Sequence, residues 1–224
     1  MISSVSIKDR EQGHNPARIG MTQKDRLIIG ITGASGVIYG IRFLQLLKNT
    51  PIETHLVLSK AAERTIAYET DFKIREIKEM ASVVHDNADI GAPIASGSFR
   101  ARGMIIAPCS MKSLAEVASG VADNLIARAA DVILKERKRL VLMARETPLH
   151  AGHIRNMALA TENGAIIAPP VPAFYARPQS LDEMVTQSCG RVLDLFDIDL
   201  PETARWGDEE AENPIPVTGK RKTL

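Results

Sequence analysis

The sequence predicts an α/β protein built on a parallel β-sheet, and three observations carry that prediction. Short apolar runs alternate with amphipathic helical patterns along the chain. The first run, Leu27, Ile28, Ile29 and Ile31, passes directly into Gly33-Ala34-Ser35-Gly36 and then into an apolar helical pattern beginning at Val37. Later runs likewise end with serine at the start of the following helix. A buried parallel strand feeding a helix through a glycine turn leaves backbone N–H groups unpaired at the helix N-terminus, where anions bind, phosphate most often.

The first turn departs from the dinucleotide fingerprint. From Gly30 it reads G-I-T-G-A-S-G rather than G-x-G-x-x-G, which favours a mononucleotide over NAD. The Ser35 hydroxyl stands where it can cap the helix or bond a phosphate oxygen, and spacing does not separate the two roles. Ile38, Ile41, Leu44 and Leu47 keep helical spacing until Asn49-Thr50-Pro51. Glu53 to Ser59 (ETHLVLS) is a second strand, and Lys60-Ala61-Ala62 opens a helix running to Thr70. If the two strands are adjacent, one phosphate can touch both Ser35 and Ser59. Glu69 lies near the end of that helix, where a single carboxylate is usually solvated.

Residues 73–90 combine a short charged helix (Ile74, Ile77, Met80) with a polar loop, and Ala92 to Ser98 is a small-residue loop able to pass beneath a ligand. Gly103 to Ala107 (GMIIA) is a third strand, expected to stop at Pro108 because proline cannot continue a ladder. The following Cys109-Ser110-Met111-Lys112-Ser113 opens a helix with two hydroxyls and a lysine. The repeated serines form a polar rim at one edge of the sheet. Val121 to Glu136 is a strong helix with Leu125, Ala129, Val132 and Ile133 inward, and Arg128 and Lys135 share one of its faces. The basic run Lys135 to Arg139 lacks interleaved aromatics and reads as a solvated turn, not a nucleic-acid patch.

Leu140 to Ala144 is a fourth strand and delivers Arg145 and Glu146 to the same edge. His150 and His153 lack a third metal ligand at suitable spacing and read as helix-start residues. That helix ends at Asn163-Gly164, and Ala165 to Ala168 is a fifth strand. Pro169 to Pro178 is a stiff loop presenting Phe174 and Tyr175, and Leu181 to Phe196 is an amphipathic helix with Arg191 on its polar side.

The 224 residues, 45% hydrophobic and 25% charged, fit one domain with extensions. Residues 1–25 read as a mobile tail, 26–200 as the domain, and 201–224 as an extension disordered after about residue 207. Twenty-eight Lys and Arg against 27 Asp and Glu give a net charge of +1, which argues against nucleic-acid or membrane binding through bulk charge. No segment reaches the ~18 apolar residues of a membrane span, and no signal peptide is evident, so a soluble protein is expected. Cys109 and Cys189 form no C-x-x-C, which suits a reducing cytoplasm.

Taken in order, ITGASG, LVLSKAA, ETD, ASGS, APCSMKSL, ARAADVILKERKRLVL, RETPLH, PPVPAFYARPQS and RWG make Arg26 to Gly207 resemble the flavin prenyltransferase family, the UbiX-like proteins formerly called aromatic-acid decarboxylases. The resemblance implies a flavodoxin-like (Rossmann-like) three-layer sandwich that binds FMN and assembles into a homododecamer with sites at subunit contacts. It implies transfer of a dimethylallyl group from dimethylallyl monophosphate to N5 and C6 of reduced FMN. The product then serves a UbiD-like decarboxylase, in ubiquinone biosynthesis or aromatic-acid decarboxylation.

By motif matching, Gly33, Ala34, Ser35, Ser59, Ser110, Met111, Lys112, Ser113 and Arg145 meet FMN. Tyr175, Arg191, Lys135 and Arg128 meet the dimethylallyl phosphate, Arg128 from a neighbouring subunit. Breaking an allylic C–O bond needs fixed positive charge on the departing phosphate. No D-D-x-x-D cluster is present to hold Mg²⁺, so no metal is expected, and these cations with the Tyr175 hydroxyl supply the charge. Glu146 is the expected proton donor to phosphate, with Ser35, Glu69 and Lys135 completing the catalytic set. Ile90 replaces the tryptophan that many relatives carry before the small-residue loop, which removes an aromatic face able to stabilise an allyl cation.

Two rival readings are weaker. A flavoprotein of the cysteine-decarboxylase type needs a histidine after the first glycine turn, but Tyr39 and Arg42 occupy that helix and the next histidine is His55. A non-catalytic flavin carrier has no use for the second phosphate set of Lys135, Glu146, Tyr175 and Arg191.

Overall fold

The computed structural model describes residues 25–200 and Thr203. The expected tails, including the RWG motif, therefore lie outside the described residues, apart from Asp25 and Thr203. Six parallel strands form one sheet: β1 (Arg26–Ile31), β2 (Glu53–Leu58), β3 (Val83–Asp86), β4 (Gly103–Cys109), β5 (Arg139–Ala144) and β6 (Ile166–Ile167). Their order is β3-β2-β1-β4-β5-β6. This is the doubly wound arrangement, whose direction of winding reverses between β1 and β4.

Strand alternation sends Leu27, Ile29 and Ile31 to one face and Ile28 to the other. The first face is covered by α1 (Val37–Leu47), α2 (Lys60–Glu69), α3 (Ile74–Met80) and α7 (Leu181–Asp194). The second is covered by α4 (Met111–Ser119), α5 (Leu125–Lys135), α6 (Ala151–Glu162) and a short 3₁₀ turn at Pro93–Ala95. With helices on both faces, the strands are nearly continuous in apolar residues, as the sequence shows for β1, β4 and β5.

Three expectations need correction. Val83–Asp86 is a strand, not part of a loop, pairing with β2 from His55↔Val83 to Leu58↔Asp86. Only two of its four residues are apolar, because its residues alternate between half-buried and exposed and none is fully buried. Pro108 lies inside β4; the register against β5 shifts between Ile106 and Cys109, so its missing N–H falls where the ladder is already irregular. Helix α5 starts at Leu125, not Val121, because Asn124 caps it by accepting from Ala127 N at 3.1 Å.

Two contacts bring the strand ends and helices into position. Gly40 lets α1 lie against the sheet: a Cβ there would stand 2.3 Å from the Ala107 carbonyl oxygen and 2.6 Å from Ile31 Cδ1. The buried Thr32 hydroxyl donates to the Pro108 carbonyl at 2.7 Å and accepts from Ser110 N at 2.8 Å, tying the end of β1 to the start of α4.

Two stability changes are expected. Gly40→Ala should lower unfolding free energy by about 1–3 kcal/mol, because a clash with backbone outweighs the ~1 kcal/mol gained in helix propensity. Thr32→Val should cost about 1–3 kcal/mol by leaving the Ser110 N–H without its partner. Chemical denaturation checks both, and an unchanged midpoint in either variant rejects its explanation.

Candidate active site

Strand direction puts every helix-opening turn at one edge of the sheet, and the reversal between β1 and β4 opens a cleft there of about 890 Å³. Thr32, Gly33, Ser59, Ser110, Lys112 and Ser113 contribute to its wall. Ser59 and Ser110 are the N-cap residues of α2 and α4. The Ser59 Oγ accepts from Ala62 N at 3.0 Å, which leaves its O–H free to donate. The Ser110 Oγ accepts from Ser113 N at 3.3 Å and donates to the Ser113 Oγ at 3.2 Å, which leaves the Ser113 O–H free in turn. The cleft therefore presents two hydroxyl donors beside two helix N-termini, a surface suited to phosphate and polyol oxygens.

The first turn is arranged differently from the sequence expectation. Gly36, at φ 97°, is the N-cap of α1, and its side-chain cap is absent. Instead Glu69 Oε2 accepts from Gly36 N at 2.8 Å and from Val37 N at 3.3 Å. Glu69 is thus neither simply solvated nor distant from the turn: a carboxylate brought from the end of α2 satisfies the N–H groups there. Ser35 beside it is exposed, its hydroxyl bonds no described residue, and neither Ser35 nor Ala34 lines the cleft.

Of the remaining flavin candidates, Lys112 pairs with Glu116 at 2.7 Å, and this hydrogen bond raises its affinity for the proton. Met111 is outside the cleft wall, as is Arg145, whose backbone N–H donates to the Cys109 carbonyl at 3.1 Å. Cys109 is buried, which pushes its thiol up to about 12, Glu116 adding to the effect, so it stays protonated and offers no nucleophile.

The donor-binding candidates are divided between the two faces. Arg128 and Lys135 lie on α5 against the small-residue loop: Arg128 Nε donates to the Ala95 carbonyl at 3.2 Å, and a Cβ on Gly97 would stand 2.6 Å from Lys135 Nζ. Arg191 lies on α7, across the sheet, and Tyr175 lies in the 3₁₀ turn Phe174–Ala176 preceding that helix. Arg128 pairs with Asp131 at 2.6 Å, Lys135 with Glu136, and Arg191 with Asp194. Lys135 holds the Glu136 carboxyl below the usual carboxylate range. Glu146 is exposed after β5 and accepts from Thr147 N at 2.9 Å. A single chain brings Gly33, Ser59, Ser110, Lys112 and Ser113 together, and leaves the donor set dispersed.

The sequence reading missed several residues of the site. Thr32, Asp86, Asn87 and Asn124 line the cleft. Asn87 Oδ1 accepts from Ile126 N at 3.1 Å, so the end of β3 holds the start of α5. Asn124 before an apolar helical run was a legible cap; Asn87 had no local signal, because its partner is 39 positions away. His150 caps α6 by accepting from Gly152 N at 3.0 Å. Among the described residues no group of three or more His, Cys, Asp or Glu is placed to hold a metal ion, and no helix is long and apolar enough to cross a membrane.

A family model described as flavoprotein matches residues 17–192. The flavin prenyltransferase UbiX of Thauera aromatica is 58% identical over 188 residues, 84% of this chain and 97% of that protein. The crystal structure of AnUbiX (PadA1) in complex with FMN and dimethylallyl pyrophosphate has a TM-score of 0.81 and 52% identity, covering 83% of this chain and 98% of that one. The dodecameric FMN-dependent UbiX-like decarboxylase from Escherichia coli O157:H7 has a TM-score of 0.79 and 47% identity, covering 81% and 98%. The chain accordingly belongs to the flavoprotein family and, within it, to the UbiX-type flavin prenyltransferases.

Proposed function

We propose that this protein joins a dimethylallyl group from dimethylallyl monophosphate to N5 and C6 of reduced FMN, and that a UbiD-like decarboxylase uses the product in ubiquinone biosynthesis or aromatic-acid decarboxylation. The observation that carries this reading is the cleft at the β1/β4 reversal, where Ser59 and Ser113 have hydroxyl protons left to donate. That donor set fits a phosphorylated polyol such as the FMN side chain. Reduced FMN, when bound, supplies the nucleophilic positions.

The chain's own residues supply binding and charge. Gly33, Ser59, Ser110, Lys112 and Ser113 hold the flavin in the cleft, and Ala34, Ser35, Met111 and Arg145, which stand outside its wall, meet the part of the flavin that extends past it. Arg128, Lys135, Arg191 and Tyr175 hold the donor phosphate and stabilise the charge it gains as the C–O bond breaks. Glu146 gives that phosphate a proton, and Ser35, with Glu69 locking its turn, moves a proton at the flavin.

The donor set is completed by a second copy of the chain, since α5 and α7 lie on opposite faces of one sheet. Val171, Phe174 and Leu181, each more than 70% exposed around Tyr175, support burial of that region between subunits of a homododecamer. Residues 26–200 act as one domain, residues 1–25 and 201–224 as extensions, and the protein works in the cytoplasm without nucleic acid, membrane or metal as a partner.

Anaerobic incubation with reduced FMN and dimethylallyl monophosphate should yield flavin enlarged by one C5 unit in mass spectrometry. An unchanged flavin mass with both substrates bound rejects the reading. Glu146→Gln should slow adduct formation by about 10²-fold or more while FMN affinity is retained. Loss of FMN binding in that variant would instead make Glu146 structural.

A further inference from the structure

A second group of ionisable side chains reaches the cleft from β3. His55, buried on β2, has its Nε2 3.1 Å from Glu53 Oε1 and its Nδ1 2.9 Å from His85 Nε2. Glu53 Oε1 also accepts from Arg26 Nε at 2.8 Å. Phe99 closes the group, edge-on to His55 at 4.9 Å and with the Arg26 guanidinium 4.9 Å from its ring centre. Asp89, after β3, is the carboxylate acting on His85.

With Glu53 ionised, these contacts assign the proton positions. An ionised carboxylate can only accept, so His55 carries its proton on Nε2. Its Nδ1 is then the acceptor in the neutral pair, and His85 donates through Nε2–H. His85 keeps Nδ1 as a lone pair that bonds no other described residue, and the residue lines the cleft.

The pair has room for one added proton. Taken up at His85 Nδ1, it makes an imidazolium that still donates from Nε2 to His55. Passed along that bond, the charge rests on His55 beside the Glu53 carboxylate. A second proton would set two N–H groups against each other across 2.9 Å and put two cations in contact.

We propose that Glu53, His55 and His85 form a one-proton element of the cleft wall, with Glu53 and His55 as positioning residues, and that protonation of the pair strengthens binding of a phosphate-bearing flavin. This rests on the cleft being the flavin site. Burial first, and then the His55 ring, push His85 below its ordinary value, with Asp89 opposing. His85 therefore takes up its proton at lower pH than a free imidazole. The cleft wall sets Lys60, Lys78 and Lys112 against Glu63, Asp86, Glu116 and Asp123, with Lys78 paired to Glu63 and Lys112 to Glu116. One added proton cancels its excess of a single negative charge and favours an anionic ligand, so affinity rises as pH falls through this titration.

The test is FMN binding by quenching of flavin fluorescence, on the full chain, from about pH 7.5 down to about pH 4.5, spanning the imidazole range. Towards acid, the wild-type dissociation constant should fall more steeply than that of His85→Gln, the two profiles diverging by up to about tenfold per pH unit for one proton. Glutamine can still donate to His55 Nδ1, so the tie between strands is kept. Ionisation of the flavin phosphate is common to both proteins and cancels. Glu53→Gln removes the counter-charge and should move the wild-type step to lower pH; an unmoved step removes Glu53 from the element. Superimposable wild-type and His85→Gln profiles, with FMN bound, overturn the proton-linked pair and leave the flavin site standing. Absence of FMN binding by the wild type at every pH overturns the flavin site and this inference with it.

Discussion

At the point where the sheet reverses its winding, the buried Thr32 hydroxyl joins the end of β1 to the start of α4, donating to the Pro108 carbonyl and accepting from Ser110 N. Helices α1 and α4 leave this joint towards opposite faces, so a gap between them is unavoidable. The cleft is that gap. Its depth depends on how closely the helices approach, and at α1 that is decided by Gly40, whose missing side chain admits the Ala107 carbonyl and Ile31. Loss of the Thr32 joint would free the serine-bearing turn that makes the cleft polar.

Within the cleft, capping and ligand binding draw on different ends of the same hydroxyl. Ser59 and Ser110 spend a lone pair on a helix N–H, and the chain of donation through Ser110 leaves a proton on Ser113. The structural and ligand-binding readings of these serines are therefore compatible. Glu69 shows the contrary case: its carboxylate occupies the Gly36 and Val37 N–H groups, so that turn is filled from within the protein. The cations follow a third pattern. Arg128, Lys135 and Arg191 each have a carboxylate neighbour, and the sheet separates the first two from the third. Any anion bound by these side chains must displace those pairings.

The sheet was legible in proportion to how much of each strand is buried. β1, β4 and β5 bury both faces and stand out as apolar runs, whereas β3, at the edge, shows only Val83 and Val84 and passes for a loop. Pro108 misled for a related reason: proline opposes a ladder, but the register shift beside it removes the demand for its N–H. The serine caps were legible because capping is local. Thr32 and Asn87 were not, since their partners lie 76 and 39 positions away and nothing in their neighbours announces the contact.

The sequence by itself determined the alternation of strands and helices, the edge at which the helix-capping serines collect, and, through ordered motifs, the family. Each of these depends on residues close together in the chain, where periodicity and capping act. Tertiary structure alone decided which polar groups meet. It brought Glu69 to the Gly36 turn, put Arg191 across the sheet from Arg128, and set His85 against His55 in a hydrogen bond between strands 30 positions apart. Those outcomes follow from strand order and helix packing, whose long-range contacts leave no periodic trace in the sequence.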